Sequence, residues 1–138
     1  MGLQWKVVLG ATGAIILGMM LFGVPSELLY TSITGSDFSP TSAFSWFLNL
    51  MTTAIVIYVS YRVTKRGTPN PLGNALLAVL FAWLIHNGLH ALVERDASVF
   101  LHSMTEIDHM RLLILTMIGG TASVLYTKRQ APVQARTA

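Results

Sequence analysis

Apolar residues in this chain fall into four long runs. A helix needs about 20 apolar residues, within a range of roughly 17–25, to cross a bilayer core. Residues 7–24 form the first run, with Trp5 and Lys6 before it and Pro25 closing it. The second, 44–61, has Trp46 near one end and Tyr58 and Tyr61 near the other. Aromatic flanks of this kind mark two membrane interfaces. A third, 75–93, contains His86, Asn87 and His90. The fourth uncharged stretch, 112–127, has only 16 residues. At 1.5 Å per residue it covers about 24 Å, short of a core about 30 Å thick. This helix is therefore expected to begin earlier. Ser103-x-x-Glu106, a capping-box pattern, supplies a start and gives a span of about 104–127.

Between the runs lie turn signals. Residues 25–40 carry Glu27 and Asp37 and end on Ser39-Pro40, a helix-start pair. Residues 62–74 hold Arg62, Lys65 and Arg66 with Gly67, Pro69 and Pro71, a basic turn. The third connection opens at Glu94 and is expected to turn near Ser98. Beyond Lys128 and Arg129 the polar tail is expected to lack structure. Gly10, Ala14 and Gly18 stand four apart, a small face that lets a second helix come close, within the chain or in a homo-oligomer. Asn49, inside the second span, is expected to bond to a neighbouring helix. The predicted fold class is an all-α membrane protein: a four-helix transmembrane bundle forming one domain.

Composition agrees. The chain is 53% hydrophobic and 11% charged, against roughly 25% charged in a soluble domain. The first run is longer than a signal-peptide core and lacks an A-x-A-like site, so it reads as a retained span. With no cysteine, disulfides, thiolate metal sites and iron–sulfur clusters are excluded. The pI of about 9.6 does not imply nucleic acid, because the basic residues flank spans, where topology accounts for them. Seven of the nine Lys and Arg fall on one side: Lys6, Arg62, Lys65, Arg66, Lys128, Arg129 and Arg136. The positive-inside rule then puts both termini and the second loop in the cytoplasm; the expected location is a prokaryotic plasma membrane. All six acids fall on the opposite side with Arg95 and Arg111, a formal balance of −4 that attracts cations.

Residues 83–111 gather the chemistry: His86, His90, His102, His109, Glu94, Asp96, Glu106 and Asp108. His86, His90 and Glu94, spaced by four, share a helix face. An antiparallel return brings them level with Glu106 and His109. Intramembrane ionisable groups are costly and tend to mark function. Imidazole with carboxylate suits copper, zinc or iron, with His86, His90, Glu106 and His109 as ligands and Glu94 or Asn87 behind them. A Glu-x-x-His unit also occurs in di-iron bundles, where two such units are needed, so a dimer would be required here. His86 and His109, on different helices, could instead clamp a haem b. The plainer alternative is a set of interfacial polar groups bonded to backbone or water, in a structural or assembly subunit with no cofactor. A third reading is an oligomeric proton or cation transporter or channel. In each case the partners expected are the lipid bilayer and other membrane subunits, or further copies meeting through Gly10, Ala14 and Gly18. No catalytic residue is assigned, since the chain has no G-x-S-x-G, P-loop or thiol motif.

The His-x3-His of His86 and His90, followed by a later histidine, is loosely similar to copper-ligand patterns in the membrane subunits of particulate methane and ammonia monooxygenases. The likeness is confined to residues 86–109 and implies copper at those positions. Elsewhere the chain shows no match to that family.

Overall fold

The structure, a computed structural model, describes the backbone of residues 2–35, 43–95 and 97–134. It describes their side chains too, except those of His90, Glu94, Ala97, Val99, Ser103, Met104 and residues 131–134. Helix α1 runs Trp5–Gly18, and a single π turn, Met19–Gly23, joins it to α2, Val24–Thr34. Then come α3 (Ala43–Lys65), α4 (Pro71–Glu94), α5 (Ala97–Thr105) and α6 (Ile107–Gln134). No strand occurs among the described residues. Four helical stretches are long and apolar enough to cross a membrane: Trp5–Thr34, Ala43–Lys65, Pro71–Val93 and Ile107–Gln130. The four-helix transmembrane bundle is thus present.

Three connections differ from expectation. Pro25 does not end the first helix; it sits in the first turn of α2. There its missing N–H costs little. The π turn just before it widens the backbone where the ring would meet the carbonyl four residues back. The helical stretch Trp5–Thr34 has 30 residues, about 45 Å at 1.5 Å each, so α2 projects past a core about 30 Å thick. Gly35, at φ +67°, ends it, with its N–H donating to Thr31 O at 2.9 Å. The Ser39-Pro40 start signal and Asp37 lie outside the described residues.

In the third connection the chain makes a short helix, α5, where a turn near Ser98 was expected. Arg95, at φ 54°, closes α4, and α6 opens at Ile107, later than the Ser103 pattern suggests. Glu106 begins that turn: its carbonyl accepts from Met110 N–H at 3.0 Å. The Ser103 side chain lies outside the described residues. At the other end α6 continues to Gln134, so most of the tail expected to lack structure is helical.

Helices α3 and α4 pack on each other at the centre. Helix α1 packs on both of them, and so does α6, most extensively on α3; among the described residues α1 and α6 do not meet. Val8, Ala11 and Ile15 of α1, Val56 and Val63 of α3, and Ala78, Val79 and Ala82 of α4 make the core. The buried stripe of α3 is Ser45, Asn49, Thr52, Val56, Ser60 and Val63, spaced by three and four. It is small and partly polar, which suits close helix contact in lipid. Gly119 and Gly120 of α6 meet it: a Cβ on Gly119 would lie 2.9 Å from Thr53 Cγ2, and one on Gly120 3.2 Å from Ser60 Oγ. Ser123 Oγ donates across the same seam to Ile57 O at 2.8 Å. The large apolar side chains mostly face outward, such as Leu17, Phe47, Ile114 and Ile118, as lipid contact requires.

Candidate functional site: the histidine and carboxylate end

The first turns of α3 and α6 and the last turns of α4 meet at one end of the bundle. Helix α3 presents Ser45 and Asn49, four apart and both buried. Helix α6 presents Asp108 and Arg111, three apart, and the two form an ion pair. Asp108 also accepts from Ser45 Oγ at 2.6 Å and from Asn49 Nδ2 at 3.2 Å. Arg111 donates to Ser45 Oγ at 3.0 Å, and its guanidinium lies 4.1 Å from the centre of the Trp46 ring. Stacking on an indole face suits a guanidinium. The two charged side chains keep only 18% and 17% of their surface exposed. Inside a low-dielectric boundary, charges persist only when paired and hydrogen-bonded. Asp108 meets both conditions; Arg111 is paired and bonds through Nη2, while its buried Nε makes no hydrogen bond among the described residues.

Helix α4 joins the same end. Trp83 Nε1 donates to the His109 carbonyl at 3.1 Å, tying α4 to the first turns of α6. The rings of His86 and His109 stand 6.4 Å apart and are tilted by 47°. Asn87, fully buried, donates to Trp83 O at 2.8 Å, and its Oδ1 has no hydrogen-bond partner among the described residues. Glu106 stands between two histidines, 3.2 Å from His102 Nε2 and 3.0 Å from His109 Nδ1. The second contact is an electrostatic one, off the direction of the ring N–H. His102 points to the outside, with 76% of its side chain exposed.

Of the four residues expected as ligands, the structure brings His86 beside His109, and Glu106 beside His109. The His90 side chain and that of Glu94 lie outside the described residues. Among the described residues no three His, Asp or Glu side chains gather as a metal-binding group. A cavity of about 20 Å³ lies beside His86, lined also by Thr52, Trp83 and Thr116. That is room for about one water. A haem held by His86 and His109 would need room for its macrocycle that this cavity does not give.

Sequence reasoning missed Ser45, and it gave Trp46 and Trp83 no part in the site. A signal for Ser45 was present. Ser45, Asn49, Thr52 and Ser60 follow helical spacing inside a mostly apolar run, and polar side chains on one face of a span point inward. The two tryptophans carry no such signal, because an indole at an interface has a sufficient reason in the interface itself.

Against known proteins, no family model matches the chain, and no curated protein and no solved structure is similar to it.

Proposed function

We propose that this chain is a non-enzymatic structural or assembly subunit of a membrane, oriented with both termini cytoplasmic. The observation that carries the reading is the closure of Asp108. Its carboxylate is met by a hydroxyl and an amide from α3 and by Arg111. A coupling or catalytic carboxylate needs capacity left over for a ligand or proton; this one spends its acceptors on holding α3 to α6. Breaking such a node destabilises the bundle, and removing it together with its partner costs less. The orientation rests on the seven basic residues near the termini, at the end of α3 and in the turn after it.

One specific observation favours a second reading. His86 and His109 lie on different helices at a ring separation of 6.4 Å, and Glu106 stands behind His109. A carboxylate that accepts from an imidazole N–H orients a metal-ligating histidine; Glu106 stands within 3.0 Å of His109 Nδ1, off the N–H direction. On this reading copper, zinc or iron would sit at the two rings, as an accessory centre of a larger redox complex. The test is elemental analysis and an absorption spectrum, oxidised and reduced, of detergent-purified protein. The structural reading expects neither stoichiometric metal nor a Soret band. It also expects His86→Ala and His109→Ala to change unfolding far less than Arg111→Ala. Near-stoichiometric metal or a haem spectrum, lost in the two histidine variants, overturns it in favour of the second.

A further inference from the structure

At the basic end of the bundle, α1 and α3 leave a groove of about 400 Å³. Its cause is local. The stretch of α1 beside α3 there is built from Gly10, Ala11 and Ala14, too small to fill the space. A Cβ on Gly10 would meet nothing within 4 Å. Further along the same face Gly18 does the opposite: its missing Cβ makes room for Ile55, whose Cγ2 would lie 2.9 Å away. The small face of the first span is therefore closed at Gly18 and open at Gly10 and Ala14. Val59 and Val63 give the open part apolar walls.

Three cations line the mouth: Lys6 from α1, and Arg62 and Arg66 from α3 and the turn after it. Arg62 lies 5.9 Å from the centre of the Tyr58 ring, which also lines the groove. None of the three cations belongs to an ion pair found among the described residues. Glu27, Glu94, Glu106 and Asp108 all stand at the far end of the bundle. The groove thus combines cations at the membrane boundary with an apolar track running into the core.

We infer that this groove binds an anionic phospholipid, its phosphate among Lys6, Arg62 and Arg66 and the start of an acyl chain along Gly10, Ala11 and Ala14. Charge complementarity selects this occupant. A second copy docking here groove to groove would set three cations against three more, with its acids a membrane thickness away. A free phosphate would leave the apolar track uncovered. A guanidinium fork suits phosphate oxygens, and lysine adds a point charge. Near an anionic lipid surface each Lys or Arg strengthens attraction about fivefold, so three together carry about a hundredfold.

Native mass spectrometry of the full chain, released from micelles doped with phosphatidylglycerol or phosphatidylcholine, tests this. The wild type should retain one phosphatidylglycerol in preference to phosphatidylcholine, and excess inorganic phosphate should not displace it. The triple variant Lys6→Gln, Arg62→Gln, Arg66→Gln should lose that preference by about a hundredfold. A matched variant, Lys65→Gln, Lys128→Gln, Arg129→Gln, removes as much charge from the same end outside the groove and should stay within about threefold of wild type. Gly10→Leu keeps every charge, fills the groove and should also lose the bound lipid. Equal losses in the two charge variants would overturn the proposal in favour of diffuse surface attraction. Retention in the groove variants, or displacement by phosphate, would overturn it as well.

Discussion

At the acidic end, Asp108 and Arg111 lie inside the bundle and are closed by Ser45, Asn49 and Trp46. At the basic end, Lys6, Arg62 and Arg66 surround an open groove and find no carboxylate among the described residues. Both ends place ionisable residues within a turn of a membrane boundary. They differ in the residues that the facing helix offers. Opposite Asp108, α3 supplies a hydroxyl and an amide; beside Arg62, α1 supplies glycine and alanine. A charge facing a hydrogen-bonding stripe becomes part of the fold, whereas a charge facing a gap remains available to something outside it.

The comparison can be broken most sharply at Arg111. Arg111→Ala leaves Asp108 charged at a poorly hydrated position. Unfolding in detergent should lose about 3 kcal/mol, the low end for breaking a buried pair, because each partner keeps roughly a sixth of its surface exposed. Arg111→Ala with Asp108→Asn should recover part of that loss. Next comes the seam on which the acidic end depends. Gly119→Val drives side-chain atoms into Thr53 and Ile57 and should cost about 1–3 kcal/mol by overpacking, read from the same unfolding curves. Ser45→Ala removes a donor to a carboxylate and should cost about 1.5–3 kcal/mol. Trp83→Phe removes only the donor to His109 O, and about 1 kcal/mol is expected. At the small extreme, His102→Ala disturbs an exposed contact and should stay within about 0.5 kcal/mol of wild type. A loss at His102 matching that at Arg111 would erase the distinction between a closed interior node and an exposed rim.

The membrane-spanning architecture was legible in the chain because it follows from run length, which few alternative structures satisfy. The pairing of Asn49 with a neighbouring helix was legible for a related reason: a buried amide in lipid must find a partner. The connections were less legible. Pro25 reads as a stop in an ordinary α-helix, but a π turn before it leaves no clash, and no residue in Met19–Gly23 announces that turn. The break at Glu106 was misplaced because α5 accounts for residues that were expected to form a turn and the start of α6. The site was half legible. Spacing along α4 and α6 brought His86, Glu106 and His109 into one region, as found. Spacing does not say which polar groups face across an interface. Asp108, unassigned in the sequence-based ligand set, therefore proved to accept from two α3 side chains and to pair with Arg111, and one of those partners, Ser45, lies 63 residues away.

The most direct test of this account is a double-mutant cycle of Ser45→Ala and Asp108→Asn, followed by reversible unfolding in one detergent. If Asp108 is an interhelical node, the two losses should fail to add, with a coupling of about 1–2 kcal/mol. That exceeds the average near 0.6 kcal/mol for hydrogen bonds between membrane helices, because the acceptor is charged. Additivity within about 0.3 kcal/mol would contradict the claim that this carboxylate holds α3 to α6.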